Sequence, residues 1–388
     1  MSLIPKAQFV GLEGVAHLCT GGEAPWLRSH DAACRRFGAL KSGGMAGREE
    51  IFAVYGRAKE GVARLLGVPP SRVAFLAHAS EGLNQAARSV AWRPGDNAVF
   101  ADLEYPSLIY PVAALRERGV EPRIVRTVGH YLSMDALAGA VDSRTRLLLV
   151  SHVSYLTGQR LDLARCAELA RSRGAWLAVD ATHALGVAPV PGDCCDFVVS
   201  SCYKWLLATH GVGIFASSAE RVGDLAPATL GWHSVASRPG PADPLAMALR
   251  EDAARLEAGN PSLLGCFVLD NALGAREGLE PEAILEHALD LGGELIAGLQ
   301  ARGCPVITPE APAERAGNVC FLADDAEALT RRLAERRVLV WSGDGRVRVS
   351  AHLHNDAADV RAFFEALDAV GEAGGPEAQP GARTTRKP

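Results

Sequence analysis

Trp176-Leu-Ala-Val-Asp-Ala-Thr-His183 and Asp196-Phe-Val-Val-Ser-Ser-Cys-Tyr-Lys-Trp-Leu206 decide how this chain is read. Each holds a short continuous apolar run, the pattern of a strand buried on both faces of a parallel sheet. Each run ends in a residue with chemistry: Asp180, followed by His183, in the first, and Lys204 in the second. The glycine-spaced run Gly211-Val-Gly-Ile-Phe-Ala216 reads as one more strand. Upstream, Val73 to Ala77, Asn97 to Phe100, Glu121 to Arg126 and Arg146 to Ser151 read as strands. They alternate with helical periodicity at Arg48 to Leu66, Ser80 to Trp92, Ser107 to Arg118, Asp135 to Val141 and Asp162 to Arg173. Such alternation predicts an α/β domain over 48–265, its parallel sheet covered on both sides.

Downstream the pattern changes. Ser237-Arg-Pro-Gly-Pro-Ala-Asp-Pro244 marks a loop, and after Pro261 the composition turns helical, with a long segment from Pro281 to Arg302. Short strands are expected at Pro305 to Thr308, Asn318 to Leu322, Val338 to Trp341 and Val347 to Ser350, with helices at Asp325 to Glu335 and Asp356 to Val370. These form a smaller C-terminal α+β domain over 266–370. Residues 1–47 form an N-terminal segment, and 371–388, rich in Gly, Pro and charge, read as a disordered tail.

With 388 residues, 48% hydrophobic and 22% charged, the chain has material for a large core. A formal net charge of −5 argues against nucleic acid or an anionic membrane as partner. The N-terminus lacks a signal-peptide pattern, and no run reaches the ~18 apolar residues of a membrane span, so the cytoplasm is expected. The nine cysteines contain no C-x-x-C pair and no metal-ligand spacing, which suits a reducing compartment; Cys166, Cys266 and Cys320 read as core residues. Cys194 and Cys195 are adjacent.

In open parallel sheets, ligands bind at the C-terminal ends of the strands, where Asp180 and Lys204 fall. Ala77-His-Ala-Ser-Glu-Gly-Leu-Asn84 adds a helix start with small residues and free N–H groups, suited either to a phosphate or to a plain N-cap at Ser80. An amine for a Schiff base, an acid for a pyridinium nitrogen and a helix N-terminus for a phosphate are the parts of a pyridoxal 5'-phosphate (PLP) site.

Together these segments resemble the class V aminotransferase branch of fold-type I PLP enzymes. That branch includes cysteine desulfurases, selenocysteine lyases, kynureninases and isopenicillin N epimerase-like proteins. The resemblance runs from about Gly47 to Leu367, and its specific part is Asp180-Ala-Thr-His183 with Ser201-Cys-Tyr-Lys204-Trp-Leu. It implies a large, mostly parallel, seven-stranded sheet domain, a smaller C-terminal domain and an N-terminal segment near the active site. It further implies that Lys204 forms the Schiff base and shuttles the proton at Cα, that Asp180 pairs with the pyridinium nitrogen and that His183 contacts the ring hydroxyl oxygen. Tyr105, in Asp102-Leu-Glu-Tyr-Pro-Ser107, matches a position whose aromatic residue or histidine stacks on the cofactor. Ala79, Ser80 and Ser201 would contact the phosphate, with Tyr203 where many relatives have histidine. Leu256-Glu-Ala-Gly-Asn-Pro261 resembles a stretch whose threonine reaches the phosphate of the other subunit. Asn260 stands in that place and can donate from its amide, so a homodimer with shared active sites is implied. Arg348, in Arg348-Val-Ser-Ala-His-Leu-His-Asn355, matches the clamp for a substrate α-carboxylate, a task suited to a planar guanidinium. An arginine on a short strand is otherwise a surface ion-pair partner, a role open to Arg346.

PLP labilises any of three bonds at Cα, and the fold does not choose among them. Desulfurases of this family carry a nucleophilic cysteine before the carboxylate-binding arginine. Val338-Leu-Val-Trp-Ser-Gly-Asp-Gly-Arg346 is short and has none. Tyr155 stands where relatives often have asparagine. The expected function is a PLP-dependent, aminotransferase-type enzyme acting at the α-carbon of a small amino acid or amino-acid conjugate. A C–S β-lyase or an amino-acid epimerase are the alternatives. A non-catalytic PLP-binding regulatory protein is the alternative of another class, disfavoured by the retained Lys204, Asp180 and Arg348 and by the want of a DNA-binding segment before residue 48. Gly21-Gly22, Trp26, His210, Trp232 and His233 fit either a substrate pocket or ordinary loop structure.

Overall fold

The computed structural model describes residues 1–237 and 240–372. Strand β1 (Ala16–His17) and helices α1 (His30–Lys41) and α2 (Gly44–Leu66) come first. α2 stops where Gly67 takes the left-handed conformation, φ 66°, which any Cβ would disfavour. The chain then alternates through β2 (Val73–Leu76), α3 (Ala79–Ser89), β3 (Asn97–Ala101), α4 (Pro106–Ala113) and β4 (Glu121–Val125). It continues with α5 (Met134–Ala140), β5 (Thr145–Ser151), α6 (Leu163–Ser172), β6 (Trp176–Asp180), β7 (Phe197–Ser201) and β8 (Gly213–Ser217).

Strands β2 to β8 make one seven-stranded sheet in the order β2-β8-β7-β6-β5-β3-β4. Only β8 runs antiparallel, to both of its neighbours; the other pairings are parallel. Alternate residues of each strand enter different cores. Leu147 and Leu149 join Phe100, Phe197 and Val199 under α3 and α4, whereas Leu148 and Val150 join Val179 and Val198 under α2, α5 and α6. Each such large side chain contributes about 1.5 to 3 kcal/mol on burial, which is why both faces must be covered. Because β5, β6 and β7 are parallel, Ser151, Asp180 and Ser201 reach the same edge of the sheet, with Ser151 opposite Asp180 in register.

The rest of the chain gives α7 (Leu263–Gly274), α8 (Pro281–Ala301), β9 (Asn318–Leu322) and α9 (Ala326–Glu335). β10 (Val338–Leu339), β11 (Trp341–Gly343), β12 (Arg346–Ser350) and α10 (Ala357–Glu372) follow. β11, β12 and β9 form an antiparallel sheet over a third core that includes Leu295, Phe321, Val349 and Phe363. β1 pairs in parallel with β10, and Cys19 bridges Ser350, so the N-terminal segment is carried onto this sheet beside Arg348.

Four elements differ from the sequence reading. The single strand expected over Val338 to Trp341 divides into β10, paired with β1, and β11, paired with β12 in the other sheet. Residues 305–308 make only an isolated bridge, Val306 to Phe321, because Pro305 has no N–H to extend a ladder. The helix expected through Arg118 loses α geometry after Ala113, downstream of Pro111, and finishes as a 3-10 turn over Ala114–Arg118. Helix α1 was not expected. Of the tail expected over 371–388, Gly371 and Glu372 end α10, and residues from 373 on lie outside the described residues. Among the described residues, no helix is long and apolar enough to cross a membrane.

Candidate active site

A cavity of about 150 Å³ lies at the C-terminal edge of β5, β6 and β7. Ala79, Ser80, Tyr105, Asp180, His183, Ser201, Tyr203 and Lys204 all line it, together with Ser107, Ser151, Tyr155 and Thr182. Arg348 and Asn260 do not. Asn260 is exposed, and Arg348 is buried on β12.

On one side is the start of α3. His78 is its N-cap: its Nδ1 accepts from Glu81 N at 3.0 Å, while Glu81 Oε2 accepts from Ala77 N at 2.8 Å. This reciprocal pairing works like a capping box. A cap at Ser80 is therefore ruled out, and the Ser80 hydroxyl instead meets Ser107 Oγ at 2.7 Å at the cavity wall. Gly213 lets β8 approach this turn, since a Cβ there would lie 2.3 Å from the His78 carbonyl carbon.

Across from it stand the charged groups. Asp180 closes β6, and one carboxylate oxygen accepts from Thr182 N at 2.8 Å. Burial pushes its carboxyl up, against the Thr182 hydrogen bonds and the Lys204 charge. Thr182 Oγ1 accepts from Ser201 N at 3.2 Å, tying the ends of β6 and β7 together. Lys204 Nζ lies 3.1 Å from His183 Nε2. Desolvation, with the Arg348 charge adding to it, holds the Lys204 amine down to about 8. His183 is held well below its usual value by burial and by the Lys204 and Arg348 charges, so its ring is neutral. Its Nδ1 accepts from Asn318 Nδ2 at 3.0 Å, and Asn318 Oδ1 accepts from Ser350 Oγ at 2.9 Å.

Aromatic rings complete the walls. Tyr105 meets Tyr155 edge to face at 5.0 Å, and Tyr155 lies 6.4 Å from the His183 ring. Tyr203 stacks on His210 at 4.1 Å, and His210 pairs with Glu23 at 3.3 Å.

Arg348 Nη1 donates to the Tyr155 carbonyl at 2.8 Å, and its guanidinium lies over Trp341 at 4.4 Å. Its buried Nε has no hydrogen-bond partner among the described residues. A Cβ on Gly21 would come within 3.2 Å of that atom, so the glycine keeps space open beside it. Arg346 is not the surface residue its sequence suggested: it is 5% exposed and bonded to Gly343 O and Asp344.

Sequence reasoning missed Ser107, Thr182, Asn318 and Glu104. Ser107 and Thr182 sit beside motifs already singled out. Glu104 is buried, accepts from Ser151 N at 2.9 Å and also bonds Ser151 Oγ. Burial pushes its carboxyl up to about 7 against the Ser151 bonds.

A desolvated amine, a facing carboxylate and a helix N-terminus with the paired Ser80 and Ser107 hydroxyls at the cavity wall match what PLP requires, and the orphaned Arg348 Nε suits a second, anionic group. The family model for aminotransferase class-V matches residues 35–366. The chain belongs to the class-V aminotransferase family. It is a PLP-dependent enzyme of that family. It is 29% identical over 346 residues to the isopenicillin N epimerase of Streptomyces clavuligerus, covering 83% of this chain and 85% of that one. It is 26% identical over 336 residues to a probable cysteine desulfurase of Methanothermobacter thermautotrophicus, covering 81% and 82%. The cysteine desulfurase structure from Thermococcus onnurineus shares the class-V fold with a TM-score of 0.86 at 20% identity, over 95% of this chain and 98% of that one.

Proposed function

We propose that this enzyme acts at the α-carbon of a small amino acid or amino-acid conjugate, with Lys204 moving the α-proton and Arg348 holding the α-carboxylate. The carrying observation is the pairing of a desolvated amine with a buried guanidinium whose Nε is unpartnered. When bound, PLP supplies the electron sink that labilises bonds at the α-carbon. Asp180 keeps the ring nitrogen protonated, His183 and Tyr105 orient the ring, and Ala79, Ser80, Ser201 and Tyr203 hold the phosphate. With an amine held near 8, Lys204 is matched to taking and returning a proton close to neutral pH. Arg348 offers a planar fork to a carboxylate in a site from which water is largely excluded.

The reading excludes a thiol nucleophile. No cysteine lies between Val338 and Arg346. The thiols that feel the Arg348 charge, Cys19 and Cys320, are both pushed up by burial, Cys320 to about 11, and stay protonated at neutral pH. Aminotransferase-type chemistry leads. C–S β-elimination and epimerisation are the second reading, supported by the names of the relatives. Lys204, Asp180 and Arg348 weigh against a non-catalytic, regulatory PLP binder.

The same reading makes the chain a homodimer in which exposed Asn260 completes the partner's phosphate site. It treats 48–265 and 266–370 as two domains with 1–47 lying against the site, and it puts the protein in the cytoplasm, which suits nine free cysteines.

Product analysis with a panel of L-amino acids and cysteine conjugates tests the chemistry. Keto acid without ammonia identifies transamination. Pyruvate with equal ammonia identifies β-elimination, and solvent exchange of the α-hydrogen with neither product identifies epimerisation. Enzyme-bound persulfide formed together with alanine from free cysteine would overturn the thiol-free reading.

A further inference from the structure

At the N-terminal end of β7, the far end from Lys204, lies a second cleft of about 430 Å³ with Cys194 and Cys195 in its wall. Five residues of strand at ~3.3 Å each put it roughly 17 Å from the active-site edge. Neighbouring side chains on extended backbone point to opposite faces. Here the single 3-10 turn Gly192–Cys194 breaks the alternation and brings the two sulfurs to 3.6 Å. Cys194 is half-buried and Cys195 buried, and Cys194 Sγ also donates to the Pro191 carbonyl at 3.1 Å.

The charges around the pair favour a thiolate at one position. Arg72 pairs with Asp193 at 2.6 Å and Arg221 with Asp196 at 2.8 Å, which offsets these two carboxylates, while the Asp162 charge opposes ionisation of Cys194. Arg171 lines the same cleft, and its charge acts on Cys194. The contact with Cys195 is the larger influence: it holds the Cys194 thiol down to about 7 and pushes Cys195 well up. A metal is not the natural ligand, because no group of three or more His, Cys, Asp or Glu that could hold one occurs among the described residues.

We propose that Cys194 and Cys195 form a reversible oxidation site for hydroperoxides, with Cys194 as the attacking thiol and Cys195 as the resolving one. The Cys194 thiolate attacks the distal peroxide oxygen. The O–O bond breaks, the alcohol leaves with a proton, and Cys194 becomes a sulfenic acid, oxidised by two electrons. Cys195 then attacks the Cys194 sulfur, an S–S bond forms, and the hydroxyl departs as water with the Cys195 proton. In sum, two thiols and one hydroperoxide give one disulfide, one alcohol and one water. Adjacent Cα atoms are about 3.8 Å apart, short of the ~4.4 to 6.8 Å that disulfides usually span, so an external dithiol reopens this ring readily.

The test treats the PLP-loaded, full-length protein with one equivalent of hydrogen peroxide, followed by alkylation and peptide mass analysis. The peptide holding Cys194 and Cys195 should lose two hydrogens before any other cysteine reacts, and dithiothreitol should restore it. Cys195→Ser should stop at a Cys194 sulfenic acid that dimedone traps. A measurement on the unaltered protein stands apart from that variant's folding: at pH 7, Cys194 should be alkylated about tenfold faster than half-buried Cys34, as expected for a thiol about half ionised at that pH compared with one that burial pushes up. Equal alkylation rates, or first oxidation at another cysteine, would overturn the proposal.

Discussion

Lys204 Nζ and His183 Nε2 share one hydrogen bond, and its direction sets how readily the lysine loses its proton. Asn318 donates to His183 Nδ1, which leaves the ring proton on Nε2, pointing at a neutral amine. Below about 8 the amine carries its proton and is no nucleophile; above it the lone pair is free. Capture of PLP by cofactor-free protein should therefore rise with pH through a midpoint near 8. In Asn318→Ala the ring is free to turn its lone pair toward Lys204, favouring the charged amine, and the midpoint should move upward. Rapid-mixing spectra across pH measure this, and an unmoved midpoint refutes the tautomer argument. Asp180→Ala should retain part of its PLP but lose about 3 to 4 kcal/mol of transition-state stabilisation, two to three powers of ten in kcat; turnover at the wild-type rate would refute the electron-sink role. Lys204, Asp180 and His183 were legible because each ends or follows a buried strand. Asn318 was not, because its partner lies 135 positions away and only the folded chain brings them together.

Two elements meet where Gly213 of β8 presses on the His78 turn that opens α3. Gly213→Ala must push these apart, which should cost about 1 to 3 kcal/mol of stability by overpacking and weaken PLP binding at the α3 N-terminus. Thermal unfolding without cofactor and a PLP titration together check it; unchanged values in both would show that the contact carries no constraint. The strands themselves were legible, since β5, β6 and β7 are apolar on both faces. Their directions were not: β8 has the same apolar pattern yet runs antiparallel, and pattern alone carries no direction. α1 escaped notice because its apolar stripe, Ala33, Phe37 and Leu40 against Ile51, Val54 and Phe267, is short and only partly buried, with His30 its one fully buried residue.

For the molecule as a whole, Arg348 lies on the antiparallel C-terminal sheet whereas Lys204 follows β7 of the seven-stranded one, and residues 16–22 run from β1 to a close approach beside Arg348. This threading was invisible in sequence, because β1 is only two residues long. Asn260 lies outside the cavity of its own chain, and under the proposed shared site it serves the phosphate of a second copy. Sedimentation at micromolar concentration should give a dimer, and a monomer with its PLP fully retained contradicts the shared site.

The central claim, that this enzyme carries PLP on Lys204, is tested by borohydride reduction of the purified protein followed by peptide mass mapping. The account predicts one reduced pyridoxyl adduct, on Lys204, and its loss in Lys204→Ala. The same adduct on another lysine, or an undiminished adduct in Lys204→Ala, would contradict it.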